Sequence, residues 1–551
     1  MSEIVRRSEA ADAAPLVPLS PRPLASFLSL TVGVLITLAV RGYRFGESNH
    51  AVYLVDALRR TDPSLLRNDW WANSTLQYHF VFNAMTAALM RAGLLEPAFL
   101  VGYLLLAVLL HVGWRSLAVR LGGNDGTYLV SVVLYYLMAG GVGLGMYHFL
   151  QDSAFLPSNI SNVAILWAVC FWVGGRPAAA GTCLGIAGMF HINHAVAGIG
   201  LWAGATLLEG GRTIRHKQWW VGSVAVIALS ALQIVPAARV VLNRSAKLPT
   251  GEFVDLFVRL RHPHHFDPTQ WHWGVWLSFL APIVVVLVAA YAPVPEQCAD
   301  ARRRARTLFL LFVLMIAFAL FTAGFWFLGE TFVQLNLYRF SIYPKLLSCI
   351  AVAWLLWDHW RRRACVVAAL VVTAVAAGAV ALSSGLLAPP TWRSPLGLKL
   401  AGLQGDDAGY RELAEWAREN TLKDAVFLVP PDEESFRVHA RRGIVVNFKG
   451  VPQLGAELPE WRDRLQDVLG LDTQGLLDLP KPMGQTLMAI RARYDALPPE
   501  HHAKVATRYG ARFAVLGHPV DASGFRLVHA DSTGSYFLYD LSPEPESGTR
   551  P

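Results

Sequence analysis

Charged residues are scarce in this 551-residue sequence. Only 16% of its residues are Asp, Glu, Lys or Arg, whereas 54% are hydrophobic and the mean hydropathy is +0.37. Soluble globular domains carry roughly 25% charged residues, so the composition excludes an ordinary soluble protein. The 18 tryptophans and the many glycines and prolines suit helices packed in lipid, with aromatic residues at the interfaces. The sequence therefore predicts a polytopic helical membrane protein.

Cysteine is scarce too, and none of the five cysteines lies after residue 389. The tail that follows this position therefore needs no disulfide, even if it is exported. A basic stripe or a nucleic-acid recognition motif is also missing, although the formal net charge is +8. The excess of positive charge lies in short loops between apolar runs, where basic residues act as orientation signals. This distribution excludes a nucleic-acid partner.

Long apolar runs, in contrast, are abundant. A membrane-spanning helix needs roughly 20 apolar residues, and somewhat fewer where flanking groups reach the interface. About eleven runs meet this criterion: 25–41, 98–118, 127–148, 155–174, 177–190, 195–209, 219–238, 271–292, 307–328, 339–357 and 364–386. The runs 177–190 and 195–209 are short for two crossings, so a helix broken at "HINHA" stays an alternative. Segment 76–95 is a further candidate.

Two basic clusters set the orientation. "ARRRAR" (301–306) and "HWRRRA" (359–364) both face the cytoplasm under the positive-inside rule. A cytoplasmic N-terminus then requires that segment 76–95 does not cross, so we interpret it as an amphipathic or re-entrant helix on the outer surface. Residues 1–24 are predicted to be a disordered cytoplasmic leader to an uncleaved first span.

The predicted domain organisation follows from this layout. A polytopic membrane domain covers residues 25–388, with a long first outer loop at 42–97 and a late outer loop at 239–270. Two prolines in "LLAPPTWRSP" end the last span, and an exported α/β domain (389–541) precedes a short disordered tail (542–551).

The pattern of the exported domain is α/β. "YRELAEWAREN" is an amphipathic helix, and residues 456–509 are mostly helical. Four segments have the pattern of buried strands: "AVFLVPP", "GIVVNFK", "RFAVLG" and "YFLYDL". The charged segment "FRVHARR" (436–442) is interpreted as a solvated or strand-edge cluster.

The first outer loop carries an unusual number of carboxylates. Glu47 and His50 would share one helix face, either as a general base with a substrate-binding partner or because a helix N-terminus favours Glu. Asp69 precedes two tryptophans that could stack on a sugar or anchor at the interface. Asp56 is expected to pair with Arg59 or Arg60, and Asp62 to shape a turn with Pro63, so neither needs a functional explanation.

Further polar residues occur at the predicted outer ends of spans. Asp152 could join Glu47 and Asp69 as hard oxygen ligands for Mg²⁺ or Mn²⁺. His191 and His194, at "HINHA", could ligate a metal, or bind a phosphate, a sugar or a freed backbone carbonyl.

Two more clusters lie near the outer ends of later spans. His264 and Trp271 belong to "RHPHHFDPTQWHW", which favours contact with phosphate or sugar over a zinc site, because no cysteine or fixed carboxylate completes a ligand set. Arg339 and Lys345 could bind a phosphate group, or reach lipid headgroups instead.

This layout resembles the GT-C superfamily of membrane glycosyltransferases, which use polyprenyl-phosphate-linked sugars. An acid just after the first span, before a Tyr, is matched in "GESNHAVY" by Glu47 and Tyr53, although Ser48 stands where a second acid is common. "YRELAEWARENTLKDAVFLVPP" looks like the opening of exported tails in that superfamily. "FRVHARRGIVVNFKGVPQL" with "EWRDRL" is similar to a signature in uncharacterised bacterial members.

The resemblance implies a glycosyltransferase at the outer face of a bacterial cytoplasmic membrane. Glu47 would be the catalytic base, Asp69 and Asp152 would position acceptor or metal, and Arg339 would hold the leaving phosphate. Some members bind a divalent metal and others do not. The donor sugar and the acceptor, whether glycan, lipid or protein, stay open.

Two rival functions stay open beside the transferase. A transporter would need ionisable residues across the midplane and repeat symmetry, neither of which the sequence shows. A non-catalytic assembly protein would keep the architecture but lack the catalytic site. Ser48 makes this alternative relevant, because it stands where a second acid is common.

Overall fold

The computed structural model describes residues 23–46, 49–137, 144–146, 150–210, 214–242, 248–271, 273–291, 296–325, 329–359 and 408–542. These residues form two compact units, and each unit draws on three stretches of chain. The first unit contains the described residues of Met1–Tyr43, Phe99–Ala237 and His264–Ala401. The second contains those of Arg44–Ala98, Ala238–Pro263 and Gly402–Pro551. Most of the two segments predicted as outer loops, residues 44–97 and 239–263, therefore belongs to the same unit as the tail.

The helices are numbered here in chain order. Those that begin before residue 300 are α1 Pro23–Arg41, α2 His50–Thr61, α3 Trp70–Ser74, α4 Phe80–Arg91, α5 Leu95–Arg120, α6 Asp125–Leu137, α7 Pro157–Val173, α8 Pro177–Phe190, α9 Ile192–Glu209, α10 Lys217–Leu242, α11 Thr250–Phe253 (continued as a π-helix, Val254–Arg261), α12 Pro263–Phe266, α13 Trp273–Tyr291 and α14 Glu296–Ala319 (continued as a π-helix, Leu320–Phe325). The later ones are α15 Glu330–Gln334, α16 Ile342–His359, α17 Ala408–Asn420, α18 Phe436–His439, α19 Leu458–Leu469, α20 Thr473–Leu477, α21 Met483–Asp495 and α22 Pro499–Tyr509. Short 3₁₀ turns lie at Leu144–Met146, Pro268–Gln270, Leu337–Ser341 and Gly455–Glu457.

Apolar helices make this a multi-pass membrane protein. Five helical segments are long and apolar enough to cross a bilayer: Pro23–Arg41, Leu95–Arg120, Lys217–Leu242, Glu296–Phe325 and Glu330–Leu356. Helices α7, α8 and α13 are apolar but shorter. A helix occupies part of each predicted span except 364–386, which lies outside the described residues. The count of about eleven spans and their orientation stay predictions.

Glycines set the packing of α8. The helix hairpin of α8 and α9 has a single connecting residue, His191, and Gly188 lies close against Ala195. On the same face of α8, a Cβ added to Gly181 would lie 2.5 Å from the Cα of Gly222 in α10. Gly185, one turn later, would meet a backbone carbonyl of α10 at the same distance. This small-xxx-small spacing allows backbones to approach closely in lipid, where apolar burial alone does not drive association.

Polar side chains buried between α1, α5 and α6 bond to one another. Thr37 Oγ1 lies 2.6 Å from His111 Nε2 and 2.5 Å from the hydroxyl of Tyr136, and His111 Nδ1 lies 2.7 Å from the hydroxyl of Tyr128. Such interhelical hydrogen bonds satisfy polar groups that cannot form hydrogen bonds with water within a membrane.

The second unit contains a five-stranded sheet of β1 Val426–Leu428, β2 Gly443–Ile444, β3 Phe513–Leu516, β4 Arg526–Ala530 and β5 Phe537–Asp540. The strand order is β2-β1-β3-β5-β4. β1 pairs in parallel with β2 and β3, whereas β5 is antiparallel to both of its neighbours. Helix α17 packs its apolar face on this sheet through Leu413, against Phe427, Phe436 and Phe513.

The structure confirms the four predicted strands, the helix at "YRELAEWAREN" and the helical content of 456–509. Strand β4 was not predicted. It carries Arg526 and His529 and is largely exposed at the edge of the sheet, so it lacks the apolar run that marks the other strands.

The helices of the first loop form a small core of their own. Helix α2 packs on α4 and α3, with Val55, Leu66 and Trp71 buried between them. Helix α4 falls within segment 76–95, and its 12 residues rise about 18 Å, short of the roughly 30 Å of a hydrocarbon layer. That it stays on the outer surface is still a prediction.

Two interpretations of loop carboxylates are confirmed. Asp56 is buried and paired with Arg59 Nη2 at 3.0 Å and Arg60 Nε at 2.6 Å. Asp62 Oδ1 accepts from the backbone N–H of Ser64 at 2.9 Å, which shapes the predicted turn.

The interpretation of "FRVHARR" as a solvated cluster is wrong for two of its arginines. Arg437 is 2% exposed and Arg442 is 3% exposed. Arg442 donates to the backbone carbonyls of Arg418 and Thr421, so backbone acceptors satisfy a guanidinium that the sequence alone places on the surface.

The glycine contact of α8 gives a first prediction. Gly181→Val should lower the stability of the protein by about 1–3 kcal/mol, because α8 and α10 must separate to admit the side chain. The melting temperature of the detergent-purified chain measures this effect. Gly200→Val is the matched control, since a Cβ at this helical glycine meets nothing within 4 Å. Equal melting temperatures for the two variants would contradict the packing described.

Candidate functional site

The residues singled out from the sequence fall into both units. The first unit contains Asp152, His191, His194, His264, Trp271, Arg339 and Lys345. His50 and Asp69 lie in the second unit, and Glu47 lies outside the described residues.

His191 and Arg339 form the centre of a cluster in the first unit. His191 connects α8 to α9, and Arg339 lies in the 3₁₀ turn before α16. Arg339 Nη1 lies 2.6 Å from His191 Nε2, and the rings of His191 and His194 have centroids 4.6 Å apart. The His191 Nδ1 atom also faces a donor, the backbone N–H of Asn193, at 3.3 Å. A neutral imidazole carries one proton and one lone pair, so it cannot accept from both donors at once. A neutral His191 can therefore accept from only one of these two donors.

Neighbouring side chains hold the second histidine. His194 Nε2 lies 2.9 Å from Asn162 Oδ1, and because that oxygen only accepts, Nε2 of His194 carries the proton. The Tyr343 hydroxyl donates to the backbone carbonyl of Asn162 at 3.1 Å, and the His194 ring lies 5.1 Å from that of Phe340. We call Asn162, His191, His194, Arg339 and Tyr343 the histidine–arginine cluster.

Sequence analysis did not single out Asn162 or Tyr343. The sequence did contain a signal that could have identified such residues, namely a polar residue within an apolar run. Burial of a polar side chain in a membrane costs free energy, so such residues are usually paired or functional. Asn162 has this property in α7, where its side chain also donates to the carbonyl of Leu150 at 3.1 Å.

Asp152 lies on the turn that begins at Leu150. Its Oδ1 atom pairs with Nη2 of Arg41 at 2.6 Å, and its backbone N–H donates to Asn159 Oδ1 at 3.1 Å. Arg41 is the last residue of α1. Asp152 therefore fixes the end of the first helix to the start of α7, and Asn162 joins the same turn to the histidine–arginine cluster.

The remaining first-unit candidates lie around this cluster. The ring of Trp271 is 5.0 Å from that of Tyr338, the residue before Arg339. The rings of His264 and His265 are 4.1 Å apart. Lys345 is buried, with Nζ 5.3 Å from the ring centroid of Tyr135.

The sequence also predicted possible ligands for a divalent metal. Among them, no group of three His, Cys, Asp or Glu residues is placed to hold an ion. The contacts of Asp69, described next, direct N–H donors at both oxygens of one of the three proposed oxygen ligands. Glu47, another of the three, lies outside the described residues, so the site for Mg²⁺ or Mn²⁺ stays a prediction.

In the second unit, Asp69 is fully buried and serves as a counterion. Its Oδ2 atom accepts from Arg437 Nε at 2.7 Å and from the backbone N–H of Ile444 at 2.9 Å. Its Oδ1 atom accepts from the N–H of Ala72 at 2.8 Å, which caps α3. Arg437 also donates to Asn447 Oδ1 at 3.2 Å. These contacts join the first loop to the start of β2 and direct the Asp69 carboxylate at protein donors.

His50 lies at the start of α2 and is buried. Its Nδ1 atom accepts from the backbone N–H of Gly46 at 3.1 Å. Gly46 has φ +82°, and a Cβ there would lie 2.8 Å from Cε1 of His439, so both the backbone and the space require glycine. The residue immediately before Glu47 is thus held by His50 and His439.

The Asp69–Arg437 pair yields a second prediction. Asp69→Asn should destabilise the protein by about 3–5 kcal/mol, because it leaves the buried Arg437 guanidinium without its carboxylate. A large fall in melting temperature of the full chain would show this. Asp62→Asn is the control, because Asp62 pairs with Lys423 at the surface at 2.8 Å and its loss should change the melting temperature little. Equal effects of the two variants would contradict the counterion role.

A pair of acids follows β1 in the second unit. Arg491 Nε lies 3.0 Å from Asp432 Oδ1, Arg491 Nη2 bonds Glu433, and the Tyr536 hydroxyl donates to Glu433 at 3.0 Å. Burial raises the pKa of Glu433 to about 7, and it also raises the pKa of Asp432. One guanidinium serves two buried carboxylates, so the protonated form of one of them is favoured in the folded protein.

This pair gives a pH prediction. The pKa of Glu433 rises on folding from 4.5 to about 7, so its contribution to stability is full below pH 4.5 and is lost as pH rises through 7. The size of that contribution is roughly 3 kcal/mol. Glu433→Gln should therefore flatten the fall in melting temperature between pH 4.5 and 7. Glu434→Gln is the control, since its carboxylate pairs with Lys449 at 3.1 Å. An unchanged slope in Glu433→Gln would show that this carboxyl does not titrate there.

The chain was compared with protein families, with curated proteins and with solved structures. Residues 408–468 match the model of a domain of unknown function, DUF6798. No curated protein matches the sequence. The chain is similar to the crystal structure of ArnT from Cupriavidus metallidurans bound to undecaprenyl phosphate, with 13% identity, a TM-score of 0.45, and coverage of 95% of this chain and 99% of that one. It is also similar to an oligosaccharyltransferase from Archaeoglobus fulgidus in complex with Zn and sulfate, with 14% identity, a TM-score of 0.48, and coverage of 89% and 68%.

Proposed function

We propose that this protein is a membrane glycosyltransferase that transfers a sugar from a polyprenyl-phosphate donor to an acceptor at the outer face of the cytoplasmic membrane. The observation that carries the proposal is the contact of Arg339 with His191 at 2.6 Å, beside apolar helices of a multi-pass protein. A phosphate on a long apolar chain matches both features, because the chain stays in lipid while the anion meets the donors.

The histidine–arginine cluster supplies the phosphate site in this proposal. Arg339 is always charged, and its planar guanidinium can donate two parallel hydrogen bonds to phosphate oxygens. An anion beside Arg339 would also favour the protonated form of His191. Arg339 and His191 would then both donate hydrogen bonds to the phosphate, and Arg339 would no longer have to donate to the imidazole. Both groups then stabilise negative charge as the sugar–phosphate bond breaks. His194 is held by Asn162 and positions the turn that carries His191.

The reaction is a substitution at the anomeric carbon. The acceptor oxygen forms a bond to that carbon, the bond to the phosphate oxygen breaks, and the phosphate leaves with the electron pair. A base removes the acceptor proton, which is typically worth about 10²–10⁴ in rate. Glu47 keeps the role of base that its position after the first span implies, and His50 orients the backbone before it through Gly46.

The other predicted residues receive supporting roles. Asp152 fixes Arg41 at the end of α1 and so sets where the first loop begins. Asp69 contacts protein donors and has no contact with substrate in this proposal. His264, Trp271 and Lys345 line the surroundings of the cluster as candidates for sugar or lipid contact. No step is assigned to a divalent metal.

A binding experiment with undecaprenyl phosphate tests the phosphate site. Arg339→Gln and His191→Gln should each weaken binding of this lipid to the purified protein roughly 10- to 100-fold, because a hydrogen bond to a charged group contributes about 1.5–3 kcal/mol. Arg259→Gln is the control, since Arg259 lies on the late outer loop and pairs at the surface with Asp255 at 2.7 Å. Wild-type affinity in Arg339→Gln would overturn the site.

Glu47→Gln separates catalysis from binding. It should keep the affinity for undecaprenyl phosphate and abolish the cellular glycan phenotype, because it removes the basic carboxylate but preserves its shape. Asp62→Asn should leave both properties unchanged. If Glu47→Gln keeps the glycan phenotype while Asp152→Asn loses it, the role of base moves away from Glu47. If the phenotype survives both changes and also Asp69→Asn, the non-catalytic assembly protein is favoured.

A further inference from the structure

An apolar groove with a cavity volume of about 70 Å³ lies in the first unit. Twelve residues line it, from the end of α5 and the residue that follows, and from α13, α14 and α16; they include Arg302, Arg306 and Phe309 of α14 and Ala351 and Trp354 of α16. Ten of these twelve side chains are apolar, and the other two are arginines. The groove therefore combines a surface suited to hydrocarbon with two permanent positive charges.

The groove lies at the end of the first unit that is opposite to the histidine–arginine cluster. Helix α7 connects the two ends, because Asn162 near its start contacts His194, whereas the carbonyl of its last residue, Val173, accepts from Arg304 at 3.4 Å. Arg302 and Arg306 belong to the "ARRRAR" segment, which the positive-inside rule assigns to the cytoplasmic side.

The two arginines are presented on one face of α14. They are four residues apart, and Phe309 follows on the same face. Arg302 is held in place, because its Nε atom donates to the carbonyl of Leu121 at 2.9 Å and its guanidinium carbon lies 3.7 Å from the ring centroid of Trp354. Arg306 is exposed and one turn nearer the apolar part of the helix.

We propose that this groove binds an anionic phospholipid of the cytoplasmic leaflet. One acyl chain would lie against the aliphatic side chains of α13 and α16, and the phosphate would meet Arg302 and Arg306. Basic pockets between membrane helices on the cytoplasmic side are suited to anionic headgroups. Guanidinium groups suit phosphate because they offer paired donors and stay charged at all physiological pH values. The proposal does not depend on the transferase function, since the groove and the histidine–arginine cluster lie at opposite ends of α7.

Thermal stabilisation by added lipid tests the proposal. The detergent-purified full chain should gain several degrees in melting temperature with phosphatidylglycerol, and much less with phosphatidylcholine at the same concentration. Arg306→Gln should lose most of that gain. Arg303→Gln is the matched control, because Arg303 is on the same helix and equally charged, but it is exposed towards Asp300 and Glu209 and does not line the groove. Equal losses in the two variants would overturn the site.

A second variant tests the acyl-chain part of the groove without touching charge. Ala351→Trp would fill the space between α13 and α16, and it should reduce the retention of phosphatidylglycerol by at least threefold in native mass spectrometry. Retention equal to wild type would overturn the assignment of the groove to an acyl chain. A larger stabilisation by undecaprenyl phosphate than by phosphatidylglycerol, lost in Arg306→Gln, would replace the phospholipid with the polyprenyl lipid. Equal stabilisation by phosphatidylcholine would overturn the role of the arginines.

Discussion

A buried guanidinium must find hydrogen-bond acceptors within the protein, and much of the second unit depends on the carboxylate that Asp69 provides for Arg437. Arg437 and Asp69 are almost completely buried and 2.7 Å apart, although 368 residues separate them in the chain. The same carboxylate caps α3 and accepts from the backbone N–H of Ile444 in β2. One ion pair thus determines where a helix of the first loop begins and where the edge of the sheet lies. Removal of either charge would leave the other without compensation in an apolar surrounding.

The first unit depends on close backbone contact instead. Gly181 and Gly185 allow α8 to approach α10, and Gly188 allows α9 to fold back on α8 after a single residue. That residue is His191. Because the connection is only one residue long, the position of the imidazole is fixed by the two helices and not by a flexible loop. Arg339 reaches it from the 3₁₀ turn before α16. The proposed phosphate site is therefore built on rigid elements, which is what precise recognition of a charged group requires.

Local pattern predicted much of this architecture, and long-range contact accounts for the rest. Apolar runs located the helices of the membrane domain, and buried apolar strands such as "RFAVLG" were found because strand burial leaves a continuous apolar signal. β4 leaves none, because it is an exposed edge strand. Arg437 looked like a surface residue, since nothing near it in sequence reveals the carboxylate of Asp69. His191 and Arg339 were each singled out, but their contact joins positions 148 residues apart, and no local spacing encodes such a pairing.

The interleaved make-up of the second unit has a consequence for biosynthesis. Residues 44–98 leave the ribosome long before the tail, yet Asp69 obtains its guanidinium only when Arg437 has been made, 368 residues later. At an elongation rate of about 5–20 residues per second, the wait is roughly 20–70 s. During this interval the first loop holds an acid, two tryptophans and an incomplete core without their partners. The closing step of this unit therefore has to wait until the tail has been made, and the nascent first loop needs protection from aggregation until then.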